Sequence, residues 1–382
     1  MKPDHGGKVL SIVDKRKKKL DDIIEFSAST NPLSMDLKNI IIDSIDRIKY
    51  YPDDTYTKLK SSISVFHDSV IPLENITVGT GSIEIIKNFS HVILTKGDKI
   101  LIFQPTFMEY EYFGKIFGAE PIFVGYNRLI KELNHESLDT DMLNKVTDFL
   151  DISKNRIKAV FLCNPNNPTG TLIKKDIIKA ILDVCNKEGC YLFIDEAFIE
   201  LSRPEESLVE DAIREERLFV LRSLTKCFSI PGLRVGYGIG SRSLIEKIED
   251  VRIPWNVGCI ESEVASYLLE NGRPFLEESR RFIENEREWL EKKLSNIGLN
   301  VIKSDSNFLM INIESLGLRS SELAEILAGK GIIVRDCSTF RWTGDSYIRV
   351  AIRSREDNLR LINSIKEIKE TISDKNRREE IR

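Results

Sequence analysis

The chain has little of what would mark a secreted, metal-dependent or membrane-spanning protein. Its six cysteines, at 163, 185, 190, 227, 259 and 337, form no C-x-x-C pair, and its four histidines do not accompany them at zinc spacing. They read as free thiols in a reducing compartment, with no metal. No apolar run approaches the roughly 20 residues that a bilayer span needs, and the start M-K-P-D-H-G-G carries no apolar leader. Neither sign of charge dominates: 56 Lys and Arg face 60 Asp and Glu, which gives no electrostatic case for a nucleic-acid or membrane partner. The basic run K-R-K-K-K, Lys15 to Lys19, lacks interleaved aromatic residues and reads as a solvated face. What remains is a cytoplasmic globular chain of 382 residues, 41% of them hydrophobic, long enough for a large core and a smaller appendage.

From about Ile76 to Gly240, short apolar runs alternate with amphipathic helical patterns, the signature of a parallel α/β sheet. Lys99 to Phe103, Ala159 to Leu162, Tyr191 to Ile194 and Leu218 to Leu221 each run into polar residues: Gln104, Asn164, Asp195 and Arg222. Ile177, Ile178, Ile181, Leu182 and Cys185 recur at helical spacing before a stop near Gly189. Ligands of such sheets bind beyond the carboxyl ends of the strands, so the residues there are the ones to read for chemistry. After Asn271 come long charged helices, with strand-like runs near 308–313 and 331–334, which predict a second, smaller α+β domain. The expected division is an arm over 1–50 packing with that small domain, a large domain over 51–270 and the small domain over 271–382. The last residues, D-K-N-R-R-E-E-I-R, are expected to fray.

Lys226 stands between the hydroxyls of Ser223 and Thr225 and the guanidinium of Arg234. An amine is nucleophilic at neutral pH where burial and nearby cations lower its pKa, and hydroxyls with a guanidinium suit a phosphate. By itself the segment fits a solvated surface lysine equally. Gly79-Thr80-Gly81-Ser82 opens a helical pattern. It is either a plain tight turn or an anion site built from the Gly81, Ser82 and Ile83 backbone. N-P-N-N-P-T-G, 164–170, sits at a strand mouth and presents Asn167 as a donor. Asp195 ends an apolar strand, where a carboxylate needs a cation, either a protonated ring nitrogen or another basic group. Phe107 either stacks on a ligand ring or belongs to the core.

In this order and spacing, N-P-N-N-P-T-G, D-E-A-F, S-L-T-K and G-L-R-V-G-Y resemble the fold-type-I pyridoxal-phosphate aminotransferases, in particular the histidinol-phosphate aminotransferase branch. His5-Gly6-Gly7, F-S-A-S-T-N-P-L at 26–33, Y-P-D at 51–53, I-P-W at 253–255, V-R-D-C at 334–337 and I-R-V-A-I-R-S at 348–354 are similar to that branch's threonine-phosphate decarboxylases. The resemblance implies a fold-type-I α/β transferase: a large domain whose mostly parallel sheet lies between helices, plus a small α+β domain. It implies pyridoxal 5'-phosphate as cofactor, with Lys226 as its covalent tether, Asp195 at the ring nitrogen, Phe107 on the ring and Asn167 at the phenolate oxygen. The cofactor's phosphate would be held by Ser223, Thr225, Arg234 and the Gly81-Ser82-Ile83 backbone, with Tyr51 arriving from the partner subunit of a homodimer.

For the substrate, a small phosphorylated amino acid, the resemblance assigns Arg349 to a carboxylate and Arg335 and His5 to a phosphate. Gly6, Asn31 and Asn167 would lie beside it. Phe198 stands where most aminotransferases of the branch carry a tyrosine that touches the phenolate oxygen, and Ser29 stands where the decarboxylase pattern reads Asn. Phe198 places first the decarboxylation of L-threonine O-3-phosphate to (R)-1-amino-2-propanol O-2-phosphate, a step of cobalamin biosynthesis. Histidinol-phosphate or another phospho-amino-acid transamination is the alternative, with serine-phosphate decarboxylation beside it.

Overall fold

The computed structural model describes residues 3–16, 19–126 and 156–380. Lys17 and Lys18 of the basic run lie outside the described residues. After a short strand β1 (Ile24–Glu25), the apolar runs become β2 (Ile76–Thr80), β3 (Lys99–Gln104), β4 (Glu120–Gly125), β5 (Ile157–Cys163), β6 (Tyr191–Asp195), β7 (Leu218–Ser223) and β8 (Val235–Gly240). They form one sheet in the order β2-β8-β7-β6-β5-β3-β4. The strands from β7 to β4 run parallel, and β8 runs against both of its neighbours. Ile100 to Phe103 and Leu192 to Ile194 are fully buried, as parallel strands covered on both faces must be. The register sets Cys163 beside Asp195 and Asp195 beside Leu221, so the polar residues that follow these strands gather at one edge.

The helix Gly81–Ile93 is fixed to one face of the sheet through Phe89. Its ring lies 4.8 Å from Phe193 and 5.2 Å from Phe219, and Phe193 lies 5.2 Å from Phe161. Each such pair adds about 0.5–1.5 kcal/mol to the burial it accompanies, which holds the helix against the sheet. The approach is close: a Cβ on Gly236 would lie 2.8 Å from the Ser82 nitrogen and 3.0 Å from the Arg222 oxygen. Gly236→Ala is therefore expected to cost about 1–3 kcal/mol in a denaturant melt, and an unchanged midpoint would argue against this contact.

A second sheet comprises β9 (Asn300–Ile302), β10 (Phe308–Asn312), β12 (Arg335–Asp336) and β13 (Tyr347–Ala351), antiparallel in the order β12-β13-β10-β9. β11 (Ile332–Ile333) pairs in parallel with β1, tying the amino-terminal segment to this part of the chain. The ladder sets Arg335 directly opposite Arg349. Like charges in that position repel, so the pair calls for an anion.

The carboxyl terminus departs from the expected frayed tail: the helix Arg355–Glu380 carries most of it. Leu361, Ile362, Ile365 and Ile368 bury one face, and Arg355 is paired with Glu286 at 2.8 Å. Once anchored, each further helical residue adds a hydrogen bond without a new nucleation cost, so the charged tail follows. All six cysteines are free thiols. Among the described residues no helix is long and apolar enough to cross a membrane, and no cluster of side chains could hold a metal ion.

Candidate active site

A cavity of about 410 Å³ opens where β5, β6 and β7 end, lined there by Cys163, Asp195 and Ser223. Lys226 enters it from the short helix Leu224–Cys227 that follows β7. Burial first, and then the charges of Arg349 and Arg234, push its amine down to about 8. Its Nζ lies 6.0 Å from the centre of the Phe198 ring. Asn31 secures this helix from behind: its backbone N–H donates to the Lys226 oxygen at 2.9 Å, and its amide donates to the Cys227 oxygen at 2.7 Å and to Ser279 Oγ at 2.8 Å. Asn31 therefore does not reach the cavity as expected, because its side chain is committed to the backbone that carries the lysine.

Asp195 is buried, and burial raises its carboxyl to about 6. Its hydrogen-bond donors are neutral: Tyr110 Oη donates to Oδ2 at 2.6 Å and the Ala197 N–H to Oδ1 at 2.9 Å. A carboxylate so placed lacks a hydrogen-bonded cation, and a protonated heteroaromatic nitrogen supplies one. Tyr110 escaped the sequence reading. It lies three residues beyond Phe107, in the first turn of the helix Glu109–Ile116, and its local pattern carried no signal of the role. Because its hydrogen bond opposes the upward push of burial, Tyr110→Phe is expected to move the acid limb of the kcat profile up by about one pH unit. A limb that stays in place would show that Asp195 does not control it.

Ser223, Thr225, Ser82, Ile83 and Arg234 line one end of the cavity. The first N–H groups of the helix Gly81–Ile93 have no partner within the helix, although Gly81 donates to the Arg234 oxygen at 2.9 Å. Gly81 has φ +70°, and a Cβ there would lie 2.5 Å from Arg234 Nη2. The bare backbone, the hydroxyls and the guanidinium thus form a cradle shaped for phosphate. Phe107 lines the cavity, its ring 5.4 Å from His5. Asn167 also lines it. Its Oδ1 accepts from Arg349 Nη1, which leaves its amide N–H groups for a ligand oxygen. Lysine, carboxylate, aromatic ring and phosphate cradle together fit pyridoxal phosphate.

The other end of the cavity is cationic. Arg349 is buried, and among the described residues it bonds only to Asn167 and to the Ser27 oxygen at 2.9 Å. Among the described residues its Nε is buried without a partner, and burial pushes the guanidinium down to about 10. Arg335 bonds instead to Asp4 and Thr339, and His5 Nε2 lies 2.6 Å from Glu109 Oε1. His5 and Gly6 line the cavity with Asp4 and Gly7. Asp4, Glu109 and Thr339 were not legible in the sequence because each acts through a tertiary neighbour. Tyr51 lies outside this cavity, 80% exposed, its ring 4.7 Å from that of Trp255.

A family model described as aminotransferase class I and II matches residues 21–365. The histidinol-phosphate aminotransferase of Methanococcus aeolicus is 34% identical over 354 residues, covering 91% of this chain and 90% of that protein. A protein of Caldanaerobacter subterraneus subsp. tengcongensis, provisionally named threonine-phosphate decarboxylase, is 32% identical over 319 residues, 83% of this chain and 82% of that one. Among solved structures, the histidinol-phosphate aminotransferase of Clostridium acetobutylicum superposes with a TM-score of 0.78 at 29% identity, covering 91% of this chain and 99% of that one. With its fold, its lysine cavity and this match, the chain belongs to the class I and II aminotransferase family, whose members depend on pyridoxal phosphate.

Proposed function

We propose that this protein is a pyridoxal-phosphate-dependent aminotransferase of a phosphorylated amine, with histidinol phosphate as the first candidate and 2-oxoglutarate as amino acceptor. The observation that carries the reading is Arg349, a buried guanidinium with no acidic partner among the described residues, opposite Arg335 and beside Lys226. Two arginines on adjacent strands can share one dianion, and Arg349 suits the α-carboxylate of glutamate equally. The likeness to the Methanococcus aeolicus enzyme supports transamination over the decarboxylation that the sequence had placed first.

When bound, the cofactor supplies an electron sink for the bonds at the substrate's α-carbon. Lys226 would tether it, Asp195 keep its nitrogen protonated, Asn167 donate to its phenolate oxygen, and the Ser223, Thr225, Ser82, Ile83 and Arg234 cradle hold its phosphate. An amine near pH 8 is matched to moving a proton at the α-carbon under neutral conditions, so Nζ of Lys226 is also the acid–base group. Arg349 orients the substrate, which decides the bond that reacts.

One observation favours a second reading. Phe198 lines the cavity with no hydroxyl to offer, which supports decarboxylation of L-threonine O-3-phosphate, whose carboxylate would take Arg349 and whose phosphate would take Arg335. Purified enzyme given histidinol phosphate with 2-oxoglutarate is expected to yield glutamate. Carbon dioxide from threonine phosphate, without glutamate from the first pair, would overturn the first reading in favour of the second.

The same proposal includes a homodimer in which Tyr51, exposed beside Trp255, completes the partner's phosphate cradle, and a division of the chain at about residues 50 and 270. That division is supported by one sheet confined to 76–240 and another to 300–351.

A further inference from the structure

Resting on the reading that Arg335 receives a substrate phosphate, we propose that Asp4 is a resident anion at that site, which the incoming phosphate must displace. Arg335 is only 5% exposed, and three of its guanidinium N–H groups donate to its own chain. Nη1 donates to Asp4 Oδ2 at 3.1 Å, and Nη2 to the Asp4 backbone oxygen at 2.7 Å and to Thr339 Oγ1 at 2.8 Å. The Phe340 ring lies 5.4 Å from the guanidinium carbon. The side chain expected to bind phosphate is thus already holding a carboxylate inside the cavity.

Two carboxylates bond the cations of the strap and its neighbour, Asp4 to Arg335 and Glu109 to His5, and they are not equivalent. Glu109, which holds His5, has a side chain only 6% exposed and belongs to the first turn of the helix Glu109–Ile116. Asp4 has a side chain 46% exposed, on a strap fastened at Gly7 by a 2.9 Å bond to Ser27 Oγ. Lys8, also paired with Asp4, is exposed and can keep that carboxylate company once it leaves the arginine. Asp4 is therefore the anion that can go, while Glu109 continues to hold His5. A monoanion arriving at Arg335 would replace like with like. A dianion brings an additional charge to a site that also holds Arg349, which bonds to no carboxylate among the described residues, so the exchange favours phosphate. In the free enzyme Asp4 relieves the like-charge opposition of Arg335 and Arg349 across the ladder.

The test is calorimetric titration of the cofactor-loaded enzyme with inorganic phosphate at low ionic strength, where the cofactor's own phosphate already fills the other cradle. Asp4→Asn keeps the backbone contact to Arg335 and removes only the competing charge, so its phosphate dissociation constant is expected to fall about five- to tenfold. Arg335→Gln is expected to abolish that binding. A wild-type constant in Asp4→Asn, with binding lost in Arg335→Gln, overturns the resident-anion proposal and leaves the substrate-phosphate reading intact. A wild-type constant in Arg335→Gln overturns that reading, and the proposal with it.

Discussion

Lys226→Ala is expected to lower turnover by at least about 10³-fold while the protein still folds and still takes up cofactor non-covalently. On the proposed reading this one side chain would have two duties, tethering the cofactor and moving a proton at the substrate, and the second alone is typically worth about 10²- to 10⁴-fold. The other residues proposed to hold the cofactor, Asp195, Asn167, Ser223, Thr225 and Arg234, line the cavity independently of the amine. Stability should move in the opposite direction to activity. The folded amine titrates near 8 against an ordinary 10.5, so the apoprotein bears the cost of a charged, buried lysine at neutral pH, about 3 kcal/mol at most. Between those two values the unfolded chain binds the extra proton, so wild-type apoprotein gains stability as pH rises from about 8 to 10.5. The alanine variant lacks that gain: its apo form should melt at or above the wild-type temperature at pH 7, with the difference closing toward pH 10. Retained turnover in the variant would remove Lys226 from the chemistry, and a lower apo melting temperature at pH 7 would contradict the cost assigned to its burial.

The gathering of Lys226, Asp195, Asn167 and Ser223 was legible because it follows from topology. Parallel strands buried on both faces must carry their polar residues at the ends, and a common register brings those ends together. The Gly81 turn was ambiguous in sequence. Its close approach to Arg234 and the Phe89 contacts that hold its helix are what turn it into a cradle.

What the sequence could not convey is how shared side chains are divided. Asn31 has an amide suited to a ligand, yet the backbone of the Leu224–Cys227 helix claims it. Arg353, in the same run as Arg349, binds the Glu25 oxygen at 2.7 Å and the Ala28 oxygen at 3.0 Å, bracing the segment that passes under the cavity. Two arginines four residues apart thus differ in function through what surrounds them: one is surrounded by carbonyls, the other has a nitrogen left over.

That leftover nitrogen makes Arg349→Gln the second large effect. Among the described residues Nε of Arg349 is buried without a partner and no carboxylate bonds to the guanidinium, whose carbon lies 5.0 Å from the centre of the Phe308 ring. A cation held this way is costly to the free protein and strongly attractive to an anionic ligand, because little water competes. Gln can still donate to Asn167 or to the Ser27 oxygen but brings no charge. Loss of a desolvated charge pair costs about 3–4 kcal/mol, so kcat/KM should fall about 10²- to 10³-fold for the phosphorylated amine and for glutamate alike. Lysine should rescue little: its point charge lacks the planar fork, and the same burial would favour its neutral form at the pH of assay. The apoprotein, relieved of a buried cation opposite Arg335, should be at least as stable as wild type. If the variant keeps kcat/KM within threefold for both substrates, Arg349 does not anchor them, and the cationic end of the cavity must act through Arg335 alone.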